Sequence, residues 1–279
     1  MKHMRYIIEA VFAYVIYGAF KLMPPQMASA CGGWLGRCIG PRLGASRRAV
    51  THIKRAFPAI SSDDADTIMR RMWDHLGRVI AEYPHIKHLA AACTDIKGAE
   101  NLPQKGQAIF FGAHLGNWEI NAAAAVLQTE RTIDITYRAP NNPYVDRLLA
   151  KARSCGGLIT AYAKSAQGGR AMLKALKDGH DLAILMDQKY NEGLNIPFFA
   201  HDAMTTPAPV QFAQKMNCPL IPVQCTRTKG AHFTLTIHPA IPVHDREISD
   251  ALKDCNAHIE RWITHTPEQW LWLHKRWKT

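Results

Sequence analysis

The sequence lacks the residue patterns that mark metal-binding and disulfide-bonded proteins. Its 279 residues include seven cysteines, an odd number, and no Cys-x-x-Cys pair occurs. Scattered cysteines of this kind are typical of reduced thiols and not of a disulfide framework. The 14 histidines form neither a His-Glu-x-x-His motif nor a cluster with cysteine at metal-ligand spacing. We therefore expect neither a metal site nor a cofactor.

The sequence also has too few acidic residues to balance its basic ones. Lys and Arg number 34 against 23 Asp and Glu, which gives a net charge of +11 and a pI of about 9.4. A basic surface suits nucleic acid, an anionic membrane or an acidic protein. Since the sequence has no zinc-finger spacing, RNA-binding aromatic block or long Lys/Arg tract, we expect no nucleic-acid partner.

Long apolar runs are scarce, and the main candidate is N-terminal. Residues 6–23 are mostly apolar, but Glu9 and Lys21 interrupt them, whereas a transmembrane helix needs ~20 apolar residues. No convincing cleavage site for a signal peptide follows. We predict a membrane anchor over residues 1–25, either a short tilted span or a helix lying in the interface; the alternative is an amphipathic helix packed on the core. No repeat or Gly/Ser linker follows, which favours a single domain over 26–279.

Helical periodicity alternates with short apolar strands along this domain. This alternation predicts an α/β fold with a mostly parallel or mixed central sheet flanked by helices. The predicted helices cover 63–83, 118–127, 143–153, 165–178, 206–216 and 248–265. The predicted strands cover 108–111, 132–137, 181–186, 219–224 and 232–238.

His114 and Glu119 form the most informative pair of residues. An apolar strand precedes His114, which therefore falls at a carboxyl end, where open α/β sheets place ligands. Residues five apart lie roughly 140° apart on one helix, so the two side chains meet only if His114 is in the loop and Glu119 in the first helical turn. Glu119 would then orient His114 as a general base for a hydroxyl. The alternative is a buried histidine with an acidic neighbour.

Further candidate site residues follow other elements. Asp187 and Gln188 end a buried strand, but Asp187 could also cap a loop or pair with a lysine. Arg153 closes a helix, where it could instead satisfy the helix C-terminus. Arg138 beside Pro-Asn-Asn-Pro could bind a phosphate or remain a solvated loop charge. Asn117, between His114 and Glu119, is a candidate supporting or substrate-binding residue.

The motif His-x4-(Asp/Glu) after a strand resembles the signature of the glycerolipid acyltransferase superfamily, and the whole chain resembles its bacterial lipid A lauroyl/myristoyl branch. Two departures stand out: Ala200 replaces a usual glycine, and His52 a usual asparagine. The blocks that carry the resemblance are Arg-Ala-Val-Thr-His-Ile-Lys-Arg-Ala-Phe-Pro at 48–58, Tyr-Arg-Ala-Pro-Asn-Asn-Pro at 137–143, Met-Asp-Gln-Lys-Tyr at 186–190, Ile-Pro-Phe-Phe-Ala at 196–200 with Thr205 and Thr206, and Pro-Glu-Gln-Trp-Leu-Trp-Leu-His-Lys-Arg-Trp-Lys at 267–278.

The resemblance implies a reaction that the residue spacing cannot supply. An acyl carrier protein would donate the fatty acyl thioester, a co-substrate and not a cofactor. A hydroxyl of an anionic Kdo-modified lipid A precursor would accept it at the cytoplasmic face of the inner membrane. His114 and Glu119 would be catalytic, accompanied by Arg153 and Asp187. Direct transfer without an acyl-enzyme is expected, with backbone N–H groups near Gly116 stabilising the oxyanion.

Two basic clusters could dock the carrier protein or bind the precursor's phosphates, although an ordinary solvated basic face is the simpler alternative. They are Arg47, Arg48, Lys54 and Arg55, and His274, Lys275, Arg276 and Lys278.

Three alternative functions remain open. The enzyme could acylate a lysophospholipid or an amino-lipid, it could be an acyl thioesterase that transfers to water, or the chain could be a non-enzymatic basic membrane adaptor. Side-chain types leave the acyl-chain length undetermined.

Overall fold

A computed structural model describes residues 2–163 and 166–277. The predicted helix start at Ser165 and the predicted basic residue Lys278 lie outside the described residues. The described helices are α1 (Lys2–Lys21), α2 (Pro25–Ile39), α3 (Ala45–Ala56), α4 (Ser62–Glu82), α5 (Ile86–Ala92), α6 (Asn121–Gln128), α7 (Pro143–Arg153), α8 (Ala166–Lys177), α9 (Ala208–Met216) and α10 (Ile248–His265). The described strands are β1 (Thr94–Lys97), β2 (Ile109–Gly112), β3 (Ile133–Tyr137), β4 (Ala161–Ala163), β5 (Asp181–Leu185), β6 (Leu194–Phe198), β7 (His201–Thr205), β8 (Leu220–Lys229) and β9 (His232–Ile237).

The central sheet has the strand order β1-β9-β8-β2-β5-β3-β4. All neighbouring pairs are parallel except the antiparallel pair of β8 and β9. Helices cover both faces, so the predicted α/β fold with a mostly parallel sheet is confirmed. Parallel strands buried on both faces read as continuous apolar runs, which is why 108–111 and 181–186 were recognisable.

The pleat of β2 divides the molecule into two cores. Phe111 belongs to one core and stacks on Trp262 of α10, with ring centroids 6.3 Å apart. Phe110, on the opposite face, belongs to the second core together with Ala123 of α6 and Ile133 of β3. Adjacent strand residues point to opposite faces. Helices from both sides are therefore packed on the strand that ends at Gly112, two residues before His114.

Helix α4 begins where its sequence predicts. Ser61 is the N-cap, and its hydroxyl accepts a hydrogen bond from the Asp64 N–H at 3.0 Å. Helix α2 packs against α4 through glycines: a Cβ added at Gly36 would lie 2.0 Å from the Trp73 carbonyl oxygen. The two helix backbones therefore approach as closely as glycine alone permits.

The block at 196–200 is a β-hairpin of β6 and β7, paired antiparallel. Its turn residues Phe199 and Ala200 have φ values of 50° and 59°. Glycine adopts this left-handed backbone conformation without a steric cost, which explains why it would suit position 200. The other departure, His52, is buried. Its Nδ1 lies 3.0 Å from the Trp272 carbonyl oxygen, so the imidazole makes a polar contact with the backbone here.

Helix α1 matches the predicted N-terminal helix. Many of its large apolar side chains are exposed, among them Phe12 and Val15, 65% and 64% exposed. Within the residues that the structure describes, no helix is long and apolar enough to cross a membrane. The membrane anchor stays a prediction.

Candidate active site

The carboxyl ends of β2 and β5 bring His114 and Asp187 together. Gly112 of β2 is in register with Leu185 of β5, so the residues that follow the two strands are neighbours. His114 Nδ1 lies 2.8 Å from Asp187 Oδ1, and the His114 backbone N–H donates to Asp187 Oδ2 at 3.0 Å. The Trp270 indole N–H donates to the same Oδ2 at 2.7 Å. Asp187, 1% exposed, thus accepts from both neighbours.

The charge state of Asp187 fixes the role of the imidazole. Burial raises the pKa of Asp187, but the charge and hydrogen bonds of His114 and the bond from Trp270 outweigh it and hold this pKa well below its ordinary value. The carboxylate is therefore ionised at neutral pH and accepts only, so His114 carries its proton on Nδ1. In the neutral imidazole, Nε2 is then left with a lone pair. This is the tautomer that a general base requires.

The prediction that Glu119 orients His114 is wrong, because Asp187 occupies that place. Helix α6 starts at Asn121, so Glu119 lies in the preceding turn and not in the first helical turn. The Glu119 carboxylate is instead bound by Arg153, whose Nε donates to Oε2 at 2.7 Å and whose Nη2 donates to Oε1 at 2.8 Å. The Tyr83 hydroxyl donates to Oε1 at 2.5 Å.

Glu119 and Arg153 form a partly buried ion pair, with side chains 8% and 14% exposed. Burial alone raises the pKa of Glu119, but the hydrogen bonds and charge of Arg153 outweigh it, and this pKa lies below its ordinary value. Burial likewise lowers the pKa of Arg153, but Glu119 and Tyr83 raise it above its ordinary value. Both groups remain charged at neutral pH. The pair is a fixed source of charge in the wall of the site.

The loop between His114 and Glu119 is held in place by buried polar contacts on the side away from the cavity. Asn117 is fully buried, its Nδ2 donates to Glu82 Oε2 at 2.7 Å, and its Oδ1 accepts from the Glu119 N–H at 3.2 Å. Arg227 forms a bidentate pair with Glu82 at 2.5 and 2.9 Å. Asn117 therefore supports the loop, as predicted in part, but its burial does not suit substrate binding.

The backbone donor expected at Gly116 is already engaged. Its N–H donates to the Gln269 carbonyl oxygen at 3.2 Å, and its own carbonyl oxygen lies 2.9 Å from His75 Nε2. The C-terminal segment pairs with this loop, which the sequence did not reveal. The prediction that Gly116 offers a free oxyanion donor is wrong for this reason.

The C-terminal residues 274–276 do not form the basic cluster that the sequence suggests. His274 lines the cavity described below, and burial lowers its pKa to about 4, so it is neutral at pH 7. Arg276 is fully buried and donates to the Met204 carbonyl oxygen and the Thr205 hydroxyl at 2.8 Å. Lys275 is exposed. The cluster prediction is wrong for His274 and Arg276 because the tail folds into the protein.

A cavity of about 410 Å³ opens at His114. It lies between α6 and one face of the sheet, and its wall is mostly apolar. At the His114 end the wall includes Trp118, Tyr137, Arg138, Arg153, Gln188 and His274. Farther along it includes Phe110, Ala125, Ile133, Leu235 and Ile237, and it reaches Leu102, Thr129 and Arg131. The arrangement places a candidate general base, His114, at the mouth of an apolar cavity.

The predicted site residues are thus mostly brought together. His114, Glu119, Arg153, Arg138 and Gln188 line this cavity, and Asp187 lies beneath His114. Sequence patterns predict no role for Tyr83 or Trp270, whose side chains contact Glu119 and Asp187, and they wrongly group His274 with exposed basic residues. The Pro-Glu-Gln-Trp block that contains Trp270 was visible, but its contact with Asp187 was not.

Comparisons with known proteins point to one family. The family model described as bacterial lipid A biosynthesis acyltransferase matches residues 1–279. The lipid A biosynthesis lauroyltransferase of Escherichia coli strain K12 is 26% identical, over 99% of this chain and 93% of that protein. The lipid A biosynthesis acyltransferase of Haemophilus influenzae is 24% identical, over 90% of this chain and 81% of that protein. The lipid A biosynthesis palmitoleoyltransferase of E. coli K12 is 24% identical, over 86% and 84%.

Proposed function

Because the chain belongs to the bacterial lipid A biosynthesis acyltransferase family and is an acyltransferase, we propose that it moves a fatty acyl chain from acyl carrier protein to a hydroxyl of a Kdo-lipid A precursor. The observation that carries the proposal is the His114–Asp187 pair at the mouth of an apolar cavity of about 410 Å³. The apolar cavity can bind the acyl chain of a lipid substrate, and the His114 base can remove the proton of the acceptor hydroxyl.

The proposed reaction is direct transfer. The acceptor hydroxyl gives its proton to His114 Nε2 while its oxygen bonds to the thioester carbonyl carbon. The tetrahedral intermediate collapses, the C–S bond breaks, and the departing thiolate takes the proton from His114. Asp187 stays ionised throughout and stabilises the imidazolium. Positioned base catalysis of this type contributes about 10²–10⁴-fold.

Glu119 does not orient His114, as the spacing of the two residues suggests, but has a different role. Through its bidentate contact it holds Arg153 at the cavity wall. The guanidinium there supplies positive charge near the reacting carbonyl and near an anionic substrate. A bidentate arginine pair fixes direction as well as charge. Glu119 is in this view a positioning residue for Arg153.

The cavity suits a fatty acyl chain. Its mostly apolar wall follows β3 from Tyr137 back to Ile133, and its volume is about 410 Å³. An acyl chain lying along this strand would be removed from water, which favours its binding.

Substrate charge and membrane contact support the proposed setting. Acyl carrier protein and the precursor are anionic, and the exposed side chains of Arg47, Arg48 and Lys54 on α3, with Arg138 at the cavity mouth, are cationic. The exposed apolar side chains of α1 would face the bilayer. We propose the cytoplasmic face of the inner membrane as the location of the reaction.

The test uses purified membranes, a radiolabelled Kdo-lipid A precursor and acyl carrier proteins loaded with different chains. Wild type is compared with His114→Ala, and with His232→Ala as a matched control, since His232 is exposed on β9 away from the cavity. We expect transfer that requires His114, and the rates with the different donors show which chain length the cavity accepts.

Other outcomes have definite meanings. Transfer to a lysophospholipid or amino-lipid instead of the precursor would keep the mechanism and replace the acceptor. Release of free fatty acid without an acceptor would identify a thioesterase. Absence of any His114-dependent acylation would refute the proposed chemistry.

A further inference from the structure

The C-terminal segment 267–277 forms part of the wall of the candidate active site. The Leu271 N–H donates to the His114 carbonyl oxygen at 3.1 Å, and the Gln269 carbonyl oxygen accepts from the Gly116 N–H at 3.2 Å. Leu115 and Trp270 form an antiparallel bridge between these bonds. The segment is therefore fixed against the loop that carries the base.

Two side chains of this segment hold the two polar residues that follow β5. Trp270 donates to Asp187 at 2.7 Å, and His274 Nε2 lies 2.6 Å from Gln188 Nε2. An amide nitrogen can only donate, so His274 accepts through a lone pair. His274 consequently determines which end of the Gln188 amide faces the site.

The Gln188 amide lies against the base without blocking it. Its nitrogen is 2.9 Å from His114 Nε2 and 3.3 Å from His114 Nδ1. An atom on the outward lone-pair axis of one ring nitrogen is much farther from the other, so the amide lies over the face of the ring. The in-plane lone pair of Nε2 remains available to a hydroxyl.

The reaction requires donors for a developing oxyanion. The N–H groups of Gly116 and Glu119 are engaged by Gln269 and Asn117. Gln188 lines the cavity beside His114. One of its two amide hydrogens is donated to His274, which leaves the other for the reacting centre. Donors aimed where charge develops are commonly the largest single contribution to catalysis.

We propose that the Gln188 side-chain amide donates to the thioester carbonyl oxygen as it becomes an oxyanion, and that His274 is the positioning residue that turns this amide nitrogen toward the site. The inference rests on the proposed acyl transfer. Gln188 moves no proton: the hydroxyl proton passes through His114 to the leaving thiolate, and Gln188 stabilises the charge between the two steps.

The role requires a neutral His274. Burial and the charges of His114 and Arg138 lower the pKa of His274 to about 4, which leaves it an acceptor at neutral pH. A cation at this position would donate, draw the amide oxygen toward itself and place oxygen where the oxyanion forms. The titratable and charged groups that face His274 are His114, Asp187, Arg138 and His52.

The test measures kcat and KM for the full-length enzyme with acyl carrier protein thioester and the lipid acceptor. We expect Gln188→Ala and His274→Ala each to lower kcat by about 10²-fold, the typical effect of removing one oxyanion donor, with KM close to wild type. The double variant should equal Gln188→Ala, since the two residues act as one unit.

Two further variants separate positioning from simple charge. His274→Gln places an amide oxygen where Nε2 lies and should restore most of kcat, whereas His274→Lys should be as slow as His274→Ala. Retained kcat in His274→Lys, a raised KM without loss of kcat, or additive losses would each overturn the proposal. His232→Ala serves as the matched histidine control, and melting temperatures check that each variant folds.

The outcome is separable from that of the proposed function. If wild type acylates another lipid but the variants keep this pattern, the substrate assignment fails and the role of His274 stands. If His114→Ala abolishes lipid A acylation while His274→Ala is fully active, the proposed function stands and the role of His274 fails.

Discussion

At the scale of the residue, the structure assigns the carboxylate of the base to Asp187 and gives Glu119 to Arg153. The two carboxylates are chemically alike and both are buried, so their partners decide their roles. Asp187 fixes the proton on His114 Nδ1, while Glu119 keeps a guanidinium charged and in place. Substitution of each carboxylate by its amide separates these roles.

We predict that Asp187→Asn lowers kcat by about 10³–10⁴-fold without a large change in KM, because an amide can donate to Nδ1 and favour the wrong tautomer. Steady-state kinetics with the lipid acceptor measure this loss. Glu119→Gln leaves the Arg153 charge buried without a countercharge and should instead lower stability by about 3–5 kcal/mol. An equal kcat loss in both variants, with unchanged melting temperatures, would contradict the assignment.

At the scale of the element, the β6–β7 hairpin carries backbone strain at its turn. Ala200 has φ of 59°, a left-handed conformation that costs an L-residue roughly 1–2 kcal/mol. Glycine relieves this cost but gains unfolded-state entropy worth roughly 0.5–1 kcal/mol. We therefore predict that Ala200→Gly stabilises the protein by up to about 1 kcal/mol.

Denaturant unfolding of Ala200→Gly beside Ala203→Gly measures this effect. Ala203 lies in β7 and is buried, so glycine there removes packing and should destabilise the protein. The same chemical change is thus expected to have opposite signs three residues apart. Destabilisation by both substitutions would contradict the strain at the turn.

At the scale of the whole molecule, buried neutral histidines tie stability to pH. Burial lowers the pKa of His75 to about 3, and of His258 and His274 to about 4. The unfolded chain binds protons at these groups below about 6.5, whereas the folded protein does not. Their contribution is fully present above pH ~6.5 and declines as pH falls toward 4.

We predict that the free energy of unfolding, and with it the melting temperature, falls between pH 6.5 and 4. His75 alone contributes a slope of up to about 1.4 kcal/mol per pH unit to this free energy. His258 and His274 are only partly buried and contribute less, because solvent screens them. His75→Gln should flatten the slope, whatever its stability at pH 7, because glutamine does not titrate. Thermal unfolding across this range measures it, and parallel curves for variant and wild type would refute the role of His75.

The local sequence determines most of the elements of this protein. The helices at 143–153 and 248–265 and the strand at 181–185 begin and end within a residue of their predicted bounds, since periodicity and capping residues are properties of near neighbours. The position of His114 at a strand end follows from the same local signals. The start of α6 was predicted three residues early because the favourable propensity of 118–120 yields to a turn held by Asn117.

Only the tertiary structure decided which side chains meet. His114 and Asp187 are 73 positions apart and become partners through the parallel pairing of β2 and β5. Trp270 and His274 reach the site because the C-terminal segment pairs with the loop after β2. Spacing within one motif favoured Glu119, but Arg153, partly buried on α7, satisfies that carboxylate. The sequence encodes the elements through local periodicity, whereas the contacts of the site depend on strand order and burial, which the complete fold establishes.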